Sequence, residues 1–270
     1  MNKVFNTGET QEDLRAMYNP EGSTLRAAQM RMLDMLEYLD SVMKELGIEY
    51  FLSCGNVIGA LRHGGFIPWD DDVDVSIRRE DMSRLCDYLE KHPHDQFKIQ
   101  TRNTDEGFWG IWPVLRDTKS EYLQDDIVHK VRKFRGLQID IFTMEDMSSR
   151  ALHWICCALY IKLVAPFIGK NRVCANLFYF LVVRLFFPAV RFISRLIGKG
   201  EKIMYPLGSS WHMTFSKKYI YPLGIVEFEG RNYPAPLVPD KYLEEEFGPF
   251  MDLPDRDSRN KHKAEYKIWD

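Results

Sequence analysis

Four aspartates fall within five positions, Asp70, Asp71, Asp72 and Asp74, near the end of a stretch from Gly55 to Val75 that reads GNVIGALRHGGFIPWDDDVDV. Like charges at this density repel and raise one another's pKa unless a cation lies among them. A chain that sets them beside Trp69 and Val73 must neutralise them or use them, and the stretch is the expected active site. The alternation Asp72-Val73-Asp74-Val75 tightens the constraint, because side chains on a strand point to opposite faces with a period of two. On a strand, Asp72 and Asp74 share one face, roughly 7 Å apart at about 3.3 Å per residue, while the valines face the core. Two such carboxylates converge on a hard cation, and oxygen ligands that leave room for water suit Mg2+ or Mn2+. A third ligand is expected from Gly136 to Phe142, where Asp140 interrupts an apolar run in which a lone charge is costly.

Ahead of the aspartates, Ser53-Cys54-Gly55-Asn56 reads as a tight turn and Val57 to His63 as a helix whose first N–H groups can face a phosphate. Arg62, near the end of that helix, either satisfies its dipole or serves the site. Beside four aspartates the second role is preferred. His63 caps the last carbonyls or joins the chemistry, and Trp69 orders the aspartate loop or stacks on a base.

The run from Ile48 to Ile77, IEYFLSCGNVIGALRHGGFIPWDDDVDVSI, resembles the signature of the LicD family, which includes the fukutin-related proteins and belongs to the nucleotidyltransferase-fold superfamily. The superfamily pattern is a Gly-Ser or similar turn, Asp-x-Asp on a strand, and a later Asp on a neighbouring strand; Gly55-Asn56, Asp72/Asp74 and Asp140 follow in that order. Family members usually carry Gly-Thr where this chain has Gly55-Asn56. The resemblance reaches upstream to about Leu25 and resumes weakly in Leu137 to Phe142 and in Phe228 to His262, where Phe247-Gly248 and His262 are similar to the family's tail. It implies an α/β (α+β) fold, a nucleotidyltransferase-like mixed sheet flanked by helices. It also implies an enzyme that moves a phosphoalcohol, phosphocholine for example, from a CDP-activated donor to a cell-surface glycan or its lipid-linked precursor. In that reading Asp72 and Asp74 bind the metal, Asp140 completes its shell or accepts the incoming hydroxyl proton, Gly55 and Asn56 cradle phosphate, and Arg62, with His63 beside it, offsets leaving-group charge. Asp70 and Asp71 are outer ligands or the general base. Two other readings stay open: a nucleotidyltransferase using an NTP donor, and a non-catalytic glycan-assembly protein that retains a dead fold.

With 270 residues, 45% hydrophobic and 28% charged, the chain can bury one large core. A net charge of −3 gives no electrostatic reason for a nucleic acid partner. Five cysteines without regular spacing read as reduced thiols in a cytoplasmic setting, and the first residues lack the apolar core of a signal peptide. One catalytic domain over 1–270 is expected, interrupted by a helical insertion over 147–199. From Ala151 to Gly200 there is no Asp or Glu, and Arg184, Arg191 and Arg195 recur at helical spacing among Leu, Phe and Val. The expected partner is an anionic membrane surface at the inner face of the membrane, with the basic stripe against it; the alternative is a buried hairpin whose arginines pair with the acidic body. Neither half holds about twenty uninterrupted apolar residues, so a true span is disfavoured. Elsewhere the pattern predicts a helix from Leu25 to Leu46, capped by Ser23 or Thr24 and stopped by Gly47, and strands over Ile48–Leu52, Phe97–Gln100 and Ile111–Leu115. The basic run Lys130 to Arg135 is either an exposed hairpin face or a positive rim to the site.

Overall fold

A computed structural model describes residues 4–123, 126–146, 149–197, 200–259 and 265–269. After a short helix α1 (Gln11–Tyr18), α2 (Thr24–Leu46) runs for 23 residues as its apolar periodicity requires. Ser23 accepts the Arg26 N–H at 3.2 Å at its start, and Gly47 closes it at φ 61. Leu36, Leu39 and Met43 are fully buried on its inner face, each such side chain contributing roughly 1.5–3 kcal/mol. The helix cap also explains why β1 is Tyr50–Leu52 and starts later than the pattern predicts: the Ile48 N–H is taken by the Met43 carbonyl at 2.9 Å.

The chain then forms α3 (Gly55–His63), β2 (Val73–Arg78), α4 (Met82–Lys91), β3 (Phe97–Gln100), β4 (Val114–Asp117), β5 (Ser120–Tyr122), α5 (Ile127–Lys130) and β6 (Gln138–Asp146). β4 begins three residues after the expected position because Pro113 has no N–H to give to a ladder; only its carbonyl is used, by Ile141 at 3.2 Å. Lys130 to Arg135 is the end of a short helix and a loop, not a hairpin. After a helical segment come β7 (Lys202–Met204), β8 (Thr214–Ser216), α9 (Lys217–Ile220), the hairpin β9 (Gly224–Phe228) and β10 (Arg231–Ala235), α10 (Pro239–Phe247) and β11 (Tyr266–Ile268).

Strands β1-β2-β6-β4-β3 pair in that order in a mixed sheet, and β7 and β8 extend it from the end of β6. β2 and β6 are its parallel pair, and the other pairings are antiparallel. Val73, Val75, Ile77, Ile139 and Ile141 are wholly buried along those two strands. That is why the middles of both strands read as largely apolar runs, with Asp74, Ser76 and Asp140 among the polar interruptions. β9 and β10 form a separate hairpin, and β11 pairs with β5.

β7 pairs with the last two residues of β6, Glu145 and Asp146, so the chain leaves the sheet and returns to the same place. Between them stand α6 (Arg150–Leu159), α7 (Arg172–Tyr179) and α8 (Phe187–Ile197), with π-helical turns at Tyr160–Val164 and Phe180–Phe186. Met147 and Lys199, the expected bounds of the insertion, lie outside the described residues. The segments Arg150–Phe167 and Arg172–Ile197 are long and apolar enough to cross a membrane by length and composition, and each is only 22% buried. The uninterrupted apolar runs stay short, as expected from the sequence, because Lys162, Arg184 and Arg191 break them, but the helices continue through these residues.

The expected basic stripe is corrected at one position. Arg191 turns inward, its Nε and Nη2 donating to buried Glu145 on β6 at 2.6 and 2.9 Å. The buried positions on this helix are Val182, Phe187, Val190 and Ser194, and the five-residue step between the first two reflects the wider π turn. What faces outward is largely apolar, with Phe180, Leu185, Phe192, Ile193 and Leu196, and Arg184 and Arg195 stay exposed among them.

Candidate active site

The ladder between β2 and β6 sets Asp74 directly opposite Asp140. In a parallel pair, partners share a face and neighbouring strands lie about 4.8 Å apart, so two acids that are 66 positions apart in sequence become neighbours. Asp72 precedes β2 by one residue; the strand starts at Val73. Burial pushes the Asp74 carboxyl well above the usual range, and the charges of Asp72 and then Asp140 push it further. Asp70 is raised by burial, Asp72 and Asp71 in the same way, against a smaller opposing pull from Arg62. Asp140 is raised by burial too, countered by Trp112, whose Nε1 donates to Oδ1 at 2.8 Å, by Arg116, and by Gln138, whose Nε2 donates to Oδ2 at 2.7 Å.

Each carbonyl of the aspartate loop is fastened by a side chain from a different element. Gln29 of α2 donates to the Asp70 carbonyl at 2.8 Å, Tyr122 of β5 to that of Asp71 at 2.8 Å, and Asn56 of α3 to that of Asp72 at 3.3 Å. Asn56 Oδ1 also accepts the Asp74 N–H at 2.6 Å. Asn56 is 2% exposed and its side chain spans the backbone of two aspartates. Gly55 is required for a related reason, since a Cβ there would stand 2.9 Å from Asp70 Oδ2. The Asp70 carboxylate thus lies against the start of α3.

Cys54, immediately before that helix, has φ 52 and ψ −131, a conformation that costs a non-glycine residue on the order of 1–3 kcal/mol. It is held from several sides. Its N–H donates to the Tyr242 hydroxyl at 3.2 Å, and its thiol lies 3.1 Å from the Tyr205 hydroxyl and bonds Asp74. Tyr205 and Tyr242 are 2.9 Å apart, and Tyr205 reaches both oxygens of Glu246 at 3.1 Å. Burial pushes Glu246 up to about 7. Nothing in the spacing of the sequence marks Glu246, which comes from α10 near the other end of the chain.

Arg62 and His63 are both buried, and the charge of Arg62 acts on Asp70. Arg62 is 6% exposed and donates through Nη1 to the Phe250 and Asp252 carbonyls at 2.7 and 3.0 Å. Its Nε donates to His63 Nε2 at 2.8 Å, which makes that nitrogen an acceptor and leaves Nδ1–H to donate to Gln11 Oε1 at 2.6 Å. Burial lowers Arg62 to about 10. Trp69 lies between these groups, with Arg259 over its ring at 5.0 Å and Tyr18 at its edge. His262 lies outside the described residues.

Two further cations, Arg116 and Arg132, stand beside Asp140. Asp140 lines a cavity of about 350 Å³ together with Trp112, Arg116, Arg132, Gln138 and Tyr160. Arg116 is 1% exposed and is held by Gln100 Oε1 and the Gly136 carbonyl, both at 2.8 Å, and burial lowers it to about 10. Arg132 comes from the basic run, and its Nε is a buried donor with no acceptor among the described residues. Among those residues no three His, Cys, Asp or Glu side chains form a ready metal cage. The donor set is an open one: adjacent hard carboxylates, raised by one another, with space beside them. That fits a Mg2+-like ion, which keeps waters and takes ligands from substrate phosphates.

Residues 47–157 match the family model described as LicD/FKTN/FKRP, nucleotidyltransferase domain. The chain is 24% identical to the lipopolysaccharide cholinephosphotransferase LicD of Haemophilus influenzae, over 88% of this chain and 96% of that protein. It is 44% identical to the ribitol 5-phosphate transferase FKRP of Homo sapiens and to that of Mus musculus, over 33% of this chain and 22% of each relative. The matched residues contain β1, α3, β2 and β6 together with the loop that leads into β2, and so every aspartate described above; over this stretch the chain is similar to the LicD family.

Proposed function

We propose that the chain transfers a phosphoalcohol from a cytidine-diphosphate-activated alcohol to a glycan hydroxyl, in a reaction that needs Mg2+ or Mn2+. The observation that supports this most is the register that sets Asp74 beside Asp140, next to a cavity carrying Arg116 and Arg132. The names of the relatives, a cholinephosphotransferase and two ribitol 5-phosphate transferases, supply the reaction class. Asp72, Asp74 and Asp140 are the residues that would hold the cation, which when bound supplies charge neutralisation to a diphosphate and its leaving group.

The remaining work falls to the chain itself. Arg132 Nε donates to a phosphate oxygen of the donor, and Arg116 supplies fixed positive charge behind it. Trp112 and Gln138 hold both oxygens of Asp140, while Gln29, Tyr122 and Asn56 hold the loop, so the carboxylates meet the substrate already in place. Asp70, raised by burial and by its neighbours, accepts the proton of the incoming hydroxyl. The hydroxyl oxygen forms a bond to the alcohol-bearing phosphorus as the bond from that phosphorus to the bridging oxygen breaks, and CMP leaves. The outward apolar face of the helical hairpin supports a membrane association, and its Tyr160 and Ile161 line the same cavity as Asp140. An acceptor carried on lipid at the cytoplasmic face of a membrane fits this arrangement.

The description of the matched domain favours one second reading, a nucleotidyltransferase acting on an NTP. Products separate the two. Incubation with CDP-choline, CDP-ribitol or CDP-glycerol and a glycan acceptor is expected to release CMP, and EDTA is expected to stop it. Pyrophosphate release from an NTP, with no CMP from any CDP-alcohol, would replace the first reading by the second. CMP release that EDTA leaves untouched would remove the metal.

A further inference from the structure

A second basic cavity, of about 300 Å³, lies at the other end of the parallel strand pair from the aspartates. Arg78, on its wall, is four residues beyond Asp74 on β2, about 13 Å along the strand. Six cationic and three acidic side chains line it, and the ion pairs consume most of the acid. Arg191 takes Glu145, and Lys217 takes Asp146 at 2.5 Å. Among the described residues no carboxylate lies within ion-pair distance of Arg79, Arg195 or Lys218. Arg79 is lowered by burial and then by the charge of Arg191, against an opposing pull from Glu145. On α8 the same turns that carry Arg191 and Arg195 toward this cavity expose Phe192, Ile193 and Leu196 on their outer side.

We infer that this cavity receives the phosphate of an anionic phospholipid headgroup, gripped by Arg79, Arg195 and Lys218, while the outer face of α8 lies among the acyl chains. A phosphate matches the surplus of positive charge, and a lipid matches the apolar surface that begins one residue away at Phe192 and Leu196. The inference rests on the proposed membrane association of the hairpin and adds to it a lipid preference and a place.

The test floats the full-length chain with vesicles of phosphatidylcholine, with and without phosphatidylglycerol. Recovery is expected to rise on phosphatidylglycerol, and Arg195→Glu with Lys218→Glu should remove that increment, about tenfold or more for two reversed charges at about 1 kcal/mol each or better. Leu196→Asp should weaken flotation on both kinds of vesicle, and all variants should keep the wild-type circular dichroism. Equal recovery on the two vesicles, or an increment that the charge reversals leave intact, overturns the headgroup site while the membrane association stands. No flotation on either overturns both. If inorganic phosphate raises the melting temperature through Arg195 and Lys218 but phosphatidylglycerol adds nothing to flotation, the cavity takes free anions and the lipid assignment is wrong.

Discussion

Asp74→Asn removes a charge that burial, Asp72 and Asp140 all oppose. Turnover is expected to fall by about 10²–10³-fold, the range for losing an electrostatic group at a reacting centre, while the melting temperature holds or rises. A loss of both activity and melting temperature would make Asp74 a structural residue. Asn56→Ala has the opposite signature, because it strands the buried Asp74 N–H and frees the Asp72 carbonyl. Urea denaturation should show a loss of about 1–3 kcal/mol. At Glu246 the sign follows from burial, which raises the carboxyl from its ordinary 4.5 to about 7 in the fold. The folded chain keeps a proton there that the unfolded chain has released, so this group's contribution is complete below about 4.5 and declines as pH rises toward 7. Glu246→Gln should therefore gain on the wild type by roughly 1–3 kcal/mol between about pH 5 and pH 8 in paired thermal melts.

The helical hairpin is tied to the sheet by Arg191 and Glu145, a charge pair between α8 and β6 in which Glu145 is 3% exposed. Arg191→Met leaves that carboxylate buried without its cation and should cost about 3–5 kcal/mol in chemical denaturation. Adding Glu145→Gln should restore most of it, and a double-mutant cycle measures the coupling. This pair shows why a basic stripe read from spacing alone misassigns its direction. A helical repeat places Arg184, Arg191 and Arg195 near one line only if every turn is α. The π turn at Phe180–Phe186 changes the angular step, and a buried acid on β6 draws Arg191 inward. The outer face carries Phe192, Ile193 and Leu196 with Arg184 and Arg195 among them, which makes the hairpin's surface more apolar and less basic than the sequence pattern implies.

Across the whole molecule the aspartates stand as a charge cluster assembled at the cost of folding stability, so a cation that enters it must stabilise the fold. Mg2+ is expected to raise the melting temperature, by an amount equivalent to about 2.7 kcal/mol when free metal is a hundredfold above its dissociation constant. The Asp74→Asn, Asp140→Asn double variant should lose that increment. Much of this site was legible in the chain itself. Alternating Asp and Val, the lone Asp140 in an apolar run and the capped α2 are local patterns whose chemistry is written in adjacent residues. So is the length of the apolar helices, though not the turns within them. What no local pattern carries is the identity of the partners. Asp140 became the neighbour of Asp74 through a strand register, Arg62 and His63 were drawn into buried bonds by residues at 11, 250 and 252, and Glu246 joined the Cys54 network from the far end of the chain. Within a regular element, period says which side chains share a face, because it depends on bond geometry over a few residues. Only the closed fold decides what meets them there, because burial brings together groups that the chain keeps far apart.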